Sequence, residues 1–181
     1  MPAPPPPQVT EYEVYKRLEK LKKTRSTLPT DIPEKLRQDC SIYLAYPLHS
    51  IFNDCLNESV YPSIWKQEWI TPVPKITHPQ EMSDLRKISC TSDYSKIFEG
   101  FIKDWIMEDV CKNIDIGQFG GQAGIGTEHL LVCLIDRIQQ LLDNYPDKSA
   151  VIATCLDWCA AFDRQDPTLA IKKFLKMGVR P

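Results

Sequence analysis

The run Ala150-Val151-Ile152-Ala153-Thr154-Cys155-Leu156 limits the possible folds of this chain more than any other stretch. It is uncharged and rich in β-branched residues, the pattern of a strand buried on both faces. A strand of that kind cannot stand alone, because its backbone groups need a ladder on either side. Its partners must come from beyond residue 181 or from the weaker extended runs upstream. The run ends on Asp157, with Trp158 and Cys159 next. A carboxylate at the tip of a buried strand is costly without a partner. A hydrogen bond, a cation or a metal is therefore expected beside Asp157.

Composition narrows the setting. The chain has 181 residues and is 43% apolar, enough for a real core in one domain or two small lobes. Its net charge of −2 does not by itself point to nucleic acid. Two basic runs could touch phosphates: Lys16, Arg17, Lys20, Lys22, Lys23 and Arg25 around Glu19, and Lys172, Lys173, Lys176 and Arg180 near the end. A solvated helix face is the default for each. The seven cysteines show no CxxC pair and no zinc spacing with histidine. They read as small buried hydrophobes in a reducing compartment, so the expected location is intracellular, cytoplasmic or nuclear. No apolar span reaches the length of about 18 residues that a transmembrane helix needs, and no membrane is expected. Residues 1–9, "MPAPPPPQV", lack the layout of a signal peptide. They are expected to form a disordered or polyproline tail, with a proline-motif ligand as the functional alternative.

Thr10-x-x-Glu13 is a capping box, and Val14, Leu18 and Leu21 follow at helical spacing, so a helix is expected over about 11–24. Asp31, Glu34 and Pro33 restart a helix. Its apolar stripe is Leu36, Cys40, Tyr43, Leu48, Ile51, Phe52, Cys55 and Leu56, and Pro47 should kink or split it. "YPSIW" reads as a loop. "WITPVPK" and "LRKIS" are extended and could pair as a hairpin around the polar tip "ITHPQEMSD". The prolines forbid a central strand. Tyr94, Ile97, Phe98, Phe101, Ile102 and Trp105 mark an amphipathic helix. "IGQFGGQAGIGT" must be a loop. Thr127 is expected to cap a leucine-rich helix, and "DNYPDKS" to turn into the buried strand. Asp166 as N-cap, Pro167 at N1 and Gly178 at C′ bound a last helix. The order of elements is α+β rather than a βαβ array.

Few residues suggest chemistry directly. The Gly-rich loop 117–126 lacks a P-loop lysine and a preceding strand, so it reads as a connector. His49, His78 and His129 are scattered and take no role, and Asp136 reads as surface. Lys75 and Arg86 flank the tip of the hairpin. Two cations on a projecting hairpin suit a triphosphate, Arg as a fork and Lys as a point charge. Asp157 reads either as a metal ligand or as a structural hydrogen-bonded aspartate.

Four blocks in order, "WKQEWITPVPK", "DLRKISCTSDYSKIFE", "QFGGQAGIGTEHLL" and "LDWCAAFD", resemble the reverse transcriptases of non-LTR retrotransposons. That family's pattern is "P-x-P-K", "yRPIS…sKi.E", "QFG…g.gt" and "LDlsaAFD". The likeness runs from about Thr10 to the last residue, leaving 1–9 as a tail and 10–181 as one truncated domain. It implies a polymerase right-hand fold, fingers plus the first part of the palm, with a fingers hairpin and one buried palm strand.

The resemblance also implies an RNA-directed DNA polymerase that adds dNTPs to a DNA primer on an RNA template, with Mg²⁺ as cofactor. By the likeness, Asp157 is the catalytic carboxylate and a metal ligand, and the Trp158 carbonyl helps hold the nucleotide-bound ion. Phe162 is the aromatic gate against a ribose 2′-OH, and Ala161 lies beside it under the sugar. Lys75 and Arg86 are the cations on the triphosphate, and Asp163 is structural. Two positions depart from the pattern: Lys87 replaces a proline, and "LPTDI" replaces "GpDgi". The "PQGS" and "YxDD" segments do not occur within these residues, so the chain alone is expected to be inactive. The alternative is a noncatalytic remnant that binds RNA or protein.

Overall fold

Thr10 opens the first helix, α1 (Glu11–Glu19), as its spacing to Glu13 predicts. Its hydroxyl oxygen accepts from the Glu13 N–H at 3.3 Å, and Glu13 Oε2 accepts from the Thr10 N–H at 2.8 Å. The Thr10 hydroxyl, and then its backbone N–H, favour the ionised carboxyl and hold Glu13 below the usual range. In this computed structural model the described residues are 5–21, 32–145, 150–159, 161 and 164–180. The helix is shorter than the spacing predicts, capped at Lys20, and residues 22–24 lie outside the described ones.

The proline-rich tail is not loose at its inner end, contrary to expectation. Val9 is 2% exposed and joins the core. Its N–H donates to Asn53 Oδ1 at 2.9 Å, and Asn53 Nδ2 returns a bond to the Val9 carbonyl at 3.0 Å. Gln8 donates to Asn57 Oδ1 at 2.8 Å. One asparagine amide thus pairs with this segment as a neighbouring strand would.

Helices α2 (Glu34–Asp39) and α3 (Ser41–Glu58) meet at Cys40, and α3 runs on through Pro47. The split falls at Cys40 and not at the proline. Asp31 lies outside the described residues, and Pro33 serves as the N-cap of α2 with no side-chain cap. On α3, Ser41, Ala45, Leu48 and Phe52 are buried at spacings of four, three and four, one helical face.

Strands β1 (Trp69–Pro74) and β2 (Leu85–Cys90) form the expected antiparallel hairpin. The register pairs Val73 with Arg86 and Pro72 with Lys87, and the Lys75 N–H bonds the Asp84 carbonyl at 2.7 Å. Residues of β1 therefore alternate, with Thr71, Val73 and Lys75 bonding across the ladder. Pro72 and Pro74 fall on the outward-facing positions, where a missing N–H costs no ladder bond and blunts the open edge.

Helix α4 (Asp93–Val110) buries Ile97, Phe98 and Phe101 against Phe52 and Trp65. Phe52 stacks on Phe98 at 5.2 Å and meets Trp65 edge-on at 5.8 Å. Full burial of one such ring contributes roughly 2–3 kcal/mol. Tyr61 packs on the same rings and donates to Glu99. Burial, then that bond, pushes its hydroxyl pKa up to about 12. Arg17 lies 3.7 Å over the Phe101 ring and reaches Asp104 at 2.6 Å. A Cβ on Gly100 would collide with its guanidinium, so glycine admits the close approach. Arg37, 0% exposed, pairs with Asp93 at 2.5 Å.

The chain divides into two units, Met1–Trp105 and Ile106–Pro181. The second carries α5 (Thr127–Asn144) and α6 (Pro167–Lys176). The N-cap of α5 is Gly126 and not Thr127, and His129 Nδ1 accepts from the Gly126 N–H at 3.1 Å. The connector before it needs φ of +78° at Gly121 and Gly124. Helix α6 matches expectation at both ends. Asp166 accepts from the Thr168 N–H at 2.8 Å, and Gly178 takes φ of +93°. The bonds Gly178 N to Leu175 O and Val179 N to Phe174 O, both 3.1 Å, close a Schellman motif.

The expected palm strand is not formed. Residues 150–158 have no regular structure, and Ile152 and Leu156 are each 90% exposed. The described strands are β1 and β2, paired with each other, and among the described residues no strand pairs with the run. A β-branched run without a ladder gains nothing from its propensity. The fold is mixed helix and sheet, and among the described residues the sheet is confined to the hairpin.

Candidate functional site

The hairpin places the two predicted cations together. Arg86 is opposite Val73, and Lys75 follows Val73 by two residues, so both side chains leave the same face as diagonal neighbours. Their Cα atoms are then roughly 7–8 Å apart, a spacing that a polyphosphate can bridge. Both residues are exposed. Lys75 Nζ donates to the Ser83 carbonyl at 2.6 Å, which ties the lysine to the tip. Asp84, on the same face, accepts from the Gln80 and Glu81 N–H groups at 3.0 and 3.1 Å. Those bonds, with Lys75 as a smaller influence, hold its carboxyl below the ordinary range. Arg86 is exposed and has no ion pair among the described residues.

The Asp157 end differs from expectation. Trp158 is 85% exposed, and Asp157 Oδ1 accepts from the Trp158 N–H at 2.9 Å. The carboxylate is in water, so the burial cost that called for a partner is not incurred. The bond is local, as short aspartate side chains commonly make. Ala161 is exposed in a turn, and Phe162 and Asp163 lie outside the described residues. No group of three His, Cys, Asp or Glu side chains is gathered for a metal among the described residues. One exposed carboxylate does not fit a pair of Mg²⁺ ions, which need several oxygen ligands.

The N-terminal basic run is partly committed within the molecule. Lys16 pairs with Glu19 at 3.1 Å and lies 5.4 Å from the Tyr15 ring centroid, while Arg17 serves Phe101 and Asp104. Near the C-terminus Arg180 is bound to Asp109.

Sequence reasoning missed an open groove between α1 and α3, lined by Glu11, Tyr12, Tyr15, Ile42 and Ala45, with a volume of about 520 Å³. The signal was present: α3 carries Ile42 and Tyr46 beyond the apolar positions that one core face can bury.

No helix among the described residues is long and apolar enough to cross a membrane. No protein family, curated protein or solved structure matches the chain.

Proposed function

We propose that this chain is the fingers and first palm portion of an RNA-directed DNA polymerase of the non-LTR retrotransposon type. The activity of such an enzyme is addition of dNTPs to a primer 3′-OH on an RNA template. The reading rests on the four ordered sequence blocks. The observation that carries it is the pairing of Lys75 and Arg86 on one exposed face of the hairpin. Arg86 would take two phosphate oxygens with its fork, and Lys75 would add a point charge after giving up its bond to Ser83. In this reading Asp157 and the Trp158 carbonyl take Mg²⁺ when the remaining carboxylates are supplied, and Ala161 and Phe162 line the sugar. The described residues do not gather those carboxylates, so the chain by itself binds a triphosphate without turning it over.

Exposed apolar residues on α5, such as Leu131, Val132 and Ile135, favour a second reading, a noncatalytic remnant that binds RNA or protein. Amide and guanidinium NMR shifts separate the two. Millimolar dTTP should perturb Lys75 and Arg86, thymidine should not, and Arg86→Ala should abolish the response. Equal response to dTTP and thymidine, or none at the hairpin, would reject the polymerase reading.

A further inference from the structure

The tip of the hairpin has no packing to hold its shape. Every residue from Ile76 to Ser83 is exposed, Ile76 at 51% and Met82 at 72%. An ordered loop costs conformational entropy that buried apolar contacts usually offset. Here hydrogen bonds have to offset it.

Those bonds converge on Asp84. One carboxylate oxygen, Oδ2, accepts from the Gln80 N–H at 3.0 Å and the Glu81 N–H at 3.1 Å. The Asp84 N–H donates to the Glu81 carbonyl at 3.0 Å, and the Asp84 carbonyl accepts from the Lys75 N–H at 2.7 Å, the last rung of the ladder. The carbonyl of Ser83, one residue earlier, accepts from Lys75 Nζ at 2.6 Å. Asp84 is half-buried, unlike the tip it holds. An ionised carboxylate is among the stronger acceptors for backbone N–H groups. The tip is thus folded back onto the residue opposite Lys75. The backbone and the ammonium of Lys75 are both fastened to that residue or to its neighbour.

The two cations differ in how firmly the ladder holds them. Arg86 sits opposite Val73, two residues further in. Lys75 sits at the end of the ladder, where paired strands open most readily. Charge alone gives Asp84 the wrong sign for this place. It shares a face with Lys75 and Arg86, so its negative charge repels a polyphosphate bound there. Its value to the site lies in order and not in charge.

We propose that Asp84 is a positioning residue: its carboxylate locks the tip, and the locked tip holds Lys75 in register with Arg86 for a polyphosphate. This rests on the triphosphate reading of the hairpin and adds how the second cation is kept in place. Ordering the Lys75 backbone in advance lowers the entropy lost when the ligand binds. The ammonium then exchanges the Ser83 carbonyl for a phosphate oxygen without movement of the strand.

A dTTP titration followed by NMR at Arg86, joined with hydrogen exchange of the Lys75 amide, tests this. Asp84→Ala should weaken dTTP binding about tenfold, the loss of roughly one charge-assisted acceptor, even though it removes a repelling charge. Exchange at the Lys75 amide should speed up by about the same factor, while the Val73 amide keeps its wild-type rate. Asp84→Asn should restore both, because its side-chain oxygen still accepts from the Gln80 and Glu81 N–H groups. In a Lys75→Ala background, Asp84→Ala should cost less than about twofold, since the residue it acts through is gone. Tighter dTTP binding by Asp84→Ala overturns the proposal and leaves Asp84 a repelling charge. An undiminished loss in the Lys75→Ala background also overturns it, as does an Asn variant no better than Ala. If the wild type binds dTTP and Asp84→Ala binds it equally well, this role fails alone. If the wild-type hairpin does not respond to dTTP, the triphosphate reading fails and takes this role with it.

Discussion

Arg180 grips Asp109 with two nitrogens, Nε on Oδ2 at 2.8 Å and Nη2 on Oδ1 at 2.5 Å, while its backbone N–H adds a third bond at 3.0 Å. The residue after the Schellman turn of α6 is thereby fastened to the last turn of α4. The pair holds the Asp109 carboxyl at about 2, against an ordinary 3.8, through the side-chain bonds first and the backbone bond second.

A depressed carboxyl pKa adds stability that is fully present above the unfolded value and is lost as pH falls through the folded one. The attachment of Val179 and Arg180 should therefore persist above pH 3.8 and loosen between there and about 2. Carboxyl ¹³C titration of Asp109 should have its midpoint near 2 in the wild type and move towards 3.8 in Arg180→Ala. Identical midpoints in the two proteins would remove the ion pair from the account.

Arg37 is buried against Asp93, and Lys96 adds a second cation at 2.9 Å. Arg37→Ala leaves a carboxylate with less compensation in a dry site and should cost about 3–5 kcal/mol in urea unfolding. Asp93→Ala should also destabilise, because it removes the carboxylate 2.5 Å from the buried guanidinium. A loss below about 1 kcal/mol for Arg37→Ala would show that water reaches the pair.

Asp157→Asn should leave the melting temperature nearly unchanged, within about 0.5 kcal/mol, because the side chain is exposed and its bond to the Trp158 N–H survives in asparagine. The chain alone should also show no Mg²⁺-dependent dNTP incorporation on a primed RNA. Extension that is abolished by Asp157→Ala would contradict this, and would mean that one carboxylate suffices.

Any RNA binding by the N-terminal basic run should rest on Lys20, Lys22 and Lys23, since Lys16 and Arg17 have partners within the molecule. Lys22 and Lys23 lie outside the described residues. Affinity should fall steeply with salt through counterion release, and changing the three lysines to Glu should reduce it further. An affinity indifferent to both would make the run a solvated face.

The sequence by itself determined the parts whose bonds close within a few residues. Thr10 with Glu13, and Asp166 with Pro167 and Gly178, mark helix ends because the bonds that close them span only two to five positions. The α4 stripe was legible for the same reason, since a helical face follows from spacing alone. Tertiary structure decided everything that needs a distant partner. Asn53 turns a proline-rich tail into an anchored one, and Asp93 allows an arginine to be buried. The register of β1 on β2 puts Lys75 and Arg86 on one face, and a slip of one residue would have separated them. The run at Ala150–Leu156 has a strand's composition, but a strand exists only where another backbone supplies its ladder, and the described chain supplies none there.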